Sequence, residues 1–287
     1  MPDNNLTRRR LLQFAPAGAL ALAACDSPTK NPAFRAGLAS AENLTYRTQR
    51  LILGAERLAP EFEEADISPA FRANGTTNPV DKSYRALAKN NFADWRLAVG
   101  GLVDKPLTLS LQDLRALPPR TQITRHDCVE GWSCIGKWTG APLHEVLSRA
   151  GVKPAARYVL FRCADTMEGG ELLGNSDSSE GDASAPIEAA GKNANAPNTL
   201  SAAAVRYYET IDLIDARHPQ TILAYDMNGG ALTVPHGAPL RVRVERQLGY
   251  KMAKYLVGIE LIEDFSQIAD GKGGYWEDNG YEWYAGI

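Results

Sequence analysis

Segments that alternate apolar and polar residues recur from Trp95 to Glu263, with helical stretches between them but no regular strand-helix rhythm. "DWRLAVGGLVDKPLTLSL" reads as two strands around Asp104, Lys105 and Pro106, while "TQITRHDC", "RYVLFRC", "QTILAYDMNGGALTV", "LRVRVE" and "KYLVGIELIED" supply more. "VRYYETIDLIDA" restores order after a long polar gap. Ser110 reads as the N-cap of a helix "LQDLRAL" ended by Pro118 and Pro119, and "GAPLHEVLSRAG" as a short helix closed by Gly151. A doubly wound parallel sheet needs strict alternation of strands and helices, so the expected class is α+β: strand-rich and mixed. The Asn228-Gly229 pair marks a hairpin. In "LRVRVE", Leu240, Val242 and Val244 face one way and Arg241, Arg243 and Glu245 the other, which puts Arg241 on a polar face.

Composition changes set the boundaries. Residues 1–24 open with Arg8, Arg9 and Arg10, continue as an apolar run and end in small residues, the pattern of an export signal. "TRRRLL" resembles a twin-arginine signal, and "LAAC" resembles a lipobox at which Cys25 would be lipidated. A membrane anchor and an ordinary secretory signal are the alternatives, although the run is short for a span, which takes about 20 residues. Residues 25–81 read as a tether and N-terminal extension, and 82–265 as the regular domain. Within it, residues 168–204 collapse into Gly, Ala, Ser, Asn and Asp, the composition of a flexible insertion. Residues 266–287 form a tail whose Tyr275, Trp276, Tyr281, Trp283 and Tyr284 are expected to pin it to the domain. The formal net charge is -3, and no basic block follows the N-terminus, so a nucleic-acid partner is not expected.

The chain has 4 cysteines. If Cys25 carries lipid, then Cys128, Cys134 and Cys163 remain, and in an oxidising compartment one of them cannot pair. Cys128 lies in "RHDCVEGWSCIGKW", where a strand gives way to a loop. Four uses compete for it. Zinc would want closely paired ligands, and neither Cys134 nor His126 stands at that spacing. A cysteine nucleophile would want a base, and His126, His144, His218 and His236 are all open. A disulfide to Cys134 would leave Cys163 free. Alternatively, one soft thiolate could bind a transition metal whose other ligands come from an organic cofactor. That use needs donors for an anionic cofactor, which "PHGAPLR" (His236, Arg241), "GYKMAK" (Lys251, Lys254) and Asn90-Asn91 offer.

"DCVEGWS", "WTGAPLHEVL", "HPQTILAYDMNG", "HGAPLRVRV" and "GYKMAKYL" resemble, in order, the molybdopterin-binding domain of the sulfite oxidase family. "CVEGWS" and the "NNF" at Asn90 to Phe92 are most similar to the periplasmic methionine-sulfoxide reductase branch. The resemblance runs over about residues 89–263, interrupted by the insertion. It implies one molybdenum-molybdopterin per chain, with Cys128 as the metal's thiolate. Asn90, Asn91, His236, Arg241, Met252, Ala253 and Lys254 would hold the pterin and its phosphate, and Cys163 would lie close to the pocket. Either Tyr207 or Tyr208 would be the active-site tyrosine.

Departures from the family limit the reading. Sulfite oxidases carry an arginine soon after the ligand cysteine and "VEGWS" does not, which disfavours sulfite. Their dimerisation domain is not expected either, and "RVERQLGYKMAK" departs from the reductase pattern. The expectation is therefore a periplasm-facing lipoprotein enzyme that transfers an oxygen atom to or from a small substrate, with sulfur compounds among the candidates. It would exchange electrons with a separate cytochrome or membrane quinol partner and touch the membrane only through its lipid. The rival readings are a lipid-anchored binding module on the same fold and a zinc or cysteine hydrolase.

Overall fold

The computed structural model describes residues 32–167 and 206–287. The export signal, Cys25 and the insertion at 168–204 lie outside the described residues. Two compact units are present, Met1–Ile52 and Leu53–Ile287. In the first, a helix of 22 residues, α1 (Pro32–Leu53), begins on a proline, whose missing N–H costs nothing at a helix start. Among the described residues no helix is long and apolar enough to cross a membrane.

The second unit carries two sheets. The first has the order β2-β1-β10-β5-β6, from β1 (Leu97–Gly101), β2 (Leu107–Leu109), β5 (Tyr158–Thr166), β6 (Arg206–Asp212) and β10 (Leu256–Ile262). Its β1/β10 pair is parallel and its other pairs are antiparallel. The second sheet runs β3-β4-β7-β8, from β3 (Arg120–Asp127), β4 (Ser133–Pro142), β7 (Ile222–Met227) and β8 (Gly230–Ala231), with β9 (Arg241–Arg243) also paired to β7. The class is α+β, strand-rich and mixed, as the patterning indicates.

Local chemistry accounts for the connections. Ser110 and Asp113 form a reciprocal capping box on α3 (Leu111–Arg115), which follows α2 (Lys82–Lys89) in the chain. α4 (Leu143–Ala150) ends at Gly151 with φ of 71°. Asn228 and Gly229, both at positive φ, turn β7 into β8. α5 (Leu213–Ala216) is capped by the Asp212 side chain.

One apolar core collects Val159, Phe161 and Ile211 of the first sheet with Ala141, Leu223, Tyr225 and Val242 of the second, and with Val146 and Leu147 of α4. Because strand side chains alternate, the opposite face of the second sheet carries His126, Trp138, Ile222, Arg241 and Arg243. This face is also buried.

Part of its cover comes from the N-terminal extension. Phe62 N–H bonds to the carbonyl of Ile123, Ser68 N–H to that of Ile135, and Glu61 bridges to Thr124. The Arg120–Glu61 and Lys137–Glu64 ion pairs add to this. Residues 59–76 of the extension are therefore part of the folded unit. Their attachment runs through backbone carbonyls and single side chains, which leave no periodicity in the sequence.

The aromatic tail docks as its composition suggests. Trp276 stacks on Tyr281 at 5.2 Å, Trp283 packs beside Tyr158 and Phe265, and Trp283 Nε1 donates to Thr210 Oγ1 at 2.8 Å. α6 (Tyr275–Asp278) brings Glu277 to Lys251.

Candidate functional site

β3 and β4 form a hairpin in register His126↔Cys134 and Asp127↔Ser133, so Cys128 is the first residue of the loop that joins them. The loop is closed by Cys128 N–H to the Trp132 carbonyl and Gly131 N–H to the Cys128 carbonyl, each at 3.0 Å, with Gly131 at φ of 82°. Burial raises the pKa of the half-buried Cys128 thiol, while the Glu130 amide, Arg72 and the Val129 amide favour the thiolate. Cys128, Cys134 and Cys163 are all free thiols, so no disulfide competes for Cys128.

Behind the loop, His126 is fully buried, and its Nδ1 accepts from Arg243 Nη1 at 2.9 Å. The proton of the neutral ring therefore sits on Nε2, which has no protein partner among the described residues. Burial, followed by Arg243, Arg241 and Lys254, pushes the histidine well below its ordinary pKa, so the ring is neutral at pH 7. A Cβ at Gly249 would collide with His126 Nε2; only glycine lets this backbone pass so close.

Arg243 is paired with Glu245 and stacks over Trp138 at 4.3 Å. Arg241 lies 5.0 Å over the same ring but bonds only to the carbonyls of His236 at 3.1 Å and Met252 at 3.4 Å, and its Nε is unpartnered among the described residues. It is 1% exposed, so the "polar face" of "LRVRVE" is interior, and a surface role for Arg241 is ruled out. Burial, aided by Arg243, lowers its pKa to about 9.

Lys254 donates to the carbonyls of Asn74, Thr76 and Pro235. Burial and then Arg241 lower its pKa to about 7. Asp165 in the same cluster is raised to about 6 by burial, against Lys254. Gly237, at φ of 105°, would meet Lys254 Cβ at 3.0 Å if it carried a side chain of its own. His236 Nδ1 pairs with Thr233 Oγ1 at 2.8 Å, and its Nε2 with the Phe71 carbonyl at 3.1 Å.

Phe71 is the residue that binds this face together. Its ring meets Trp138 at 5.3 Å, His126 at 5.8 Å and His236 at 5.9 Å. Beside it, Arg72 reaches over Trp132 at 5.3 Å and pairs with Glu130 at 3.6 Å. An arginine does therefore stand next to the Cys128 loop. It comes from residue 72 rather than from the "VEGWS" run, so the missing arginine in that run no longer excludes an oxyanion substrate by itself.

The residues expected from the sequence divide into two groups. His236, Arg241, Met252 and Lys254 are brought together by the Arg241 bonds to the His236 and Met252 carbonyls and the Lys254 bond to the Pro235 carbonyl, while the Ala253 side chain joins the apolar core and its carbonyl accepts from Val242 N–H. Asn90 and Asn91 are exposed instead: Asn90 is the C-cap of α2 and its Nδ2 donates to Asp94 at 2.6 Å. Cys163 is buried in the core and lies within electrostatic reach of Lys254. Of the two tyrosines, Tyr207 faces the core, bonds to the Tyr250 carbonyl and lies within electrostatic reach of Arg241. Tyr208 lies on the other face of β6, bonded to Asp278 of the tail, because neighbouring strand residues point to opposite sides.

The donor set suits an anionic pterin with a phosphate. Arg241 and Lys254 are buried cations with carbonyls but no carboxylate among their hydrogen-bond partners, and such charges cost several kcal/mol when left unpaired. His126 Nε2 and Arg241 Nε add two unused donors on the same face. No three of His, Cys, Asp and Glu converge as metal ligands among the described residues, so the zinc reading finds no cluster there.

A family model described as "Oxidoreductase molybdopterin binding domain" matches residues 85–196 and 182–268. A putative protein-methionine-sulfoxide reductase subunit, YedZ1, of Azospira oryzae is 31% identical over 97% of this chain and 87% of its own length. The protein-methionine-sulfoxide reductase catalytic subunit MsrP of Xanthomonas campestris pv. campestris is 32% identical over 91% of this chain and 72% of its own. The sulfane dehydrogenase SoxCD from Paracoccus pantotrophus aligns at a TM-score of 0.43 and 21% identity, covering 60% of this chain and 39% of that one. Membership of the family sets aside the non-catalytic binding module and the hydrolase: the chain is an enzyme of the molybdopterin-binding oxidoreductase family to which its motifs point.

Proposed function

We propose that the protein reduces sulfoxides, methionine sulfoxide foremost, by two-electron oxygen-atom transfer. One sulfoxide, two electrons and two protons give one thioether and one water: the sulfur–oxygen bond breaks and the oxygen leaves as water. The observation that carries this reading is the buried pair of cations Arg241 and Lys254, which have no carboxylate among their hydrogen-bond partners, set within electrostatic reach of His126 behind the Cys128 loop. The methionine-sulfoxide reductases among the relatives support the direction and the substrate. When bound, one molybdenum-molybdopterin per chain supplies the oxygen-atom exchange.

The chain's own residues hold and insulate that group. Cys128 gives the thiolate, helped by the amides of Val129 and Glu130. Arg241 and Lys254 neutralise the cofactor's negative charge, with His236 and the backbone of Met252 and Ala253 beside them. His126 Nε2 offers a neutral donor that Arg243 fixes in one tautomer. Phe71 and Trp138 exclude water from the face, and Tyr207 lies within electrostatic reach of Arg241 from the core side. Asn90 and Asn91, at the exposed end of α2, would add amide donors. Electrons come from a separate cytochrome or membrane quinol partner. The twin-arginine signal would export the protein folded, and lipidated Cys25 would hold it at the periplasmic side of the membrane.

The test is metal analysis of protein produced with its N-terminal segment intact, together with methionine sulfoxide reduction using a reduced dye. The expected result is one molybdenum per chain and turnover, both lost in Cys128→Ser. A parent protein without molybdenum overturns the reading.

A further inference from the structure

Arg72 lies in a segment without regular structure, yet its neighbours fix it. Ser68 exchanges two hydrogen bonds with Ile135, at 3.0 and 2.9 Å, and the Phe71 carbonyl takes His236 Nε2 at 3.1 Å. With Phe71 wedged between Trp138 and the two histidines, the guanidinium projects over the Trp132 ring at 5.3 Å. Its Nη2 lies 3.6 Å from Glu130 Oε2, which also accepts from Trp132 Nε1 at 2.9 Å. The Arg72 and Glu130 side chains are 63% and 55% exposed, so these charges stand at the mouth of the Cys128 loop rather than inside it.

A loose, exposed ion pair adds little to stability. What it presents is a donor fork beside an acceptor, next to the apolar surface of Trp132 and the exposed Val129. A backbone amide flanking a reacting side chain offers the complement, a carbonyl that accepts and an N–H that donates.

We propose that Arg72 is a specificity-determining residue that holds the main-chain carbonyl of peptide-embedded methionine sulfoxide at the mouth above Cys128, while Glu130 takes a neighbouring N–H. The assignment rests on the sulfoxide-reductase reading. Trp132 offers its ring to the S-methyl group of the sulfoxide side chain. The rim thereby separates sulfoxides that carry amides from bare ones such as dimethyl sulfoxide, which has no carbonyl for Arg72 to hold.

The test compares the holoenzyme with Arg72→Ala and Arg72→Lys at equal molybdenum content, on N-acetylmethionine sulfoxide N-methylamide and on dimethyl sulfoxide. Arg72→Ala raises KM for the diamide about tenfold and leaves KM for dimethyl sulfoxide within about twofold, while any change in kcat, which reports the Cys128 surroundings, is common to both substrates. Arg72→Lys recovers part of the loss. Calorimetric titration with the product N-acetylmethionine N-methylamide gives a Kd about tenfold weaker in Arg72→Ala. Equal effects on both sulfoxides, or none on the diamide, overturn the assignment. If the parent reduces neither sulfoxide, it is the reductase reading that falls. The titration then decides for Arg72 alone, and an unchanged or undetectable Kd overturns it.

Discussion

Replacing Lys251 with methionine tests how the tail is held to the domain. Lys251, Glu209 and Glu277 are all 0% exposed, and the ammonium bonds to Glu209 Oε1 at 2.6 Å and to Glu277 Oε1. Methionine keeps much of the volume and removes the charge, leaving two carboxyl groups buried side by side. Breaking a buried ion pair from one side costs about 3–5 kcal/mol, because the remaining charge loses its compensation. The cost depends on pH in a definite sense. Burial, and then Glu277, already raise the pKa of Glu209 well above the ordinary carboxyl value. The folded state thus holds a proton that the unfolded chain releases as pH rises through about 4.5, and stability from this group is present at low pH and lost as pH climbs through the folded value. Without the ammonium Glu209 binds its proton more readily still, so the deficit of Lys251→Met is full at pH 8 and shrinks at pH 5. Urea unfolding followed by circular dichroism at the two pH values measures it, and limited trypsin digestion reports release of the tail at Lys272. In a Glu209→Gln, Glu277→Gln background the same substitution costs much less, which isolates the coupling. A deficit below about 1 kcal/mol at pH 8, or one that does not change with pH, would refute the reasoning.

Two further outcomes follow from the site itself. Phe71→Ala removes a half-buried ring from Trp138, His126 and His236, and should cost about 2–3 kcal/mol, less than a fully buried phenylalanine. Thermal unfolding and faster trypsin cleavage after Arg72 would show it, and a loss under about 1 kcal/mol would contradict the packing. In cofactor-free protein, the pKa of Lys254 stands lowered from 10.5 to about 7, so between these values the unfolded chain binds a proton that the folded chain lacks. Stability should accordingly rise with pH from about 7, and Lys254→Met should flatten that rise below pH 9, above which Arg241, lowered to about 9, adds a slope of its own; an identical slope in both proteins between pH 7 and 9 would exclude Lys254 as its source.

The strands, the β7/β8 hairpin and the helix ends were legible because their causes are local. Alternation, Asn228-Gly229, Ser110 with Asp113, and Gly151 each act within a few residues. Residues 59–76 were not legible, since Asn74 and Thr76 act through their carbonyls, and every residue type has one. Tyr207 and Tyr208 show the middle case. Alternation separates their faces, but only the positions of β6 and the tail reveal that Tyr207 looks toward the core and Tyr208 toward Asp278.

The charged face of "LRVRVE" carries the larger lesson. Alternation correctly divides Leu240, Val242 and Val244 from Arg241, Arg243 and Glu245, but it does not say whether the charged side meets water or the interior. Both sides are buried, none of the six residues being more than 3% exposed. Glu245 neutralises Arg243, whereas Arg241 has neither a carboxylate partner nor a partner for its Nε among the described residues. A buried arginine left in this state is unfavourable for folding alone. Its presence makes sense if an anion completes the site, and the five quoted motif blocks had already pointed to one. The same distinction applies to the arginine at the rim: a motif window records which residues adjoin Cys128 in sequence, and Arg72 reaches it only because Phe71 pins a distant segment in place. Charged residues that break the local rule, taken with the spatial neighbours that the chain brings from elsewhere, therefore locate this site more sharply than the cysteine alone.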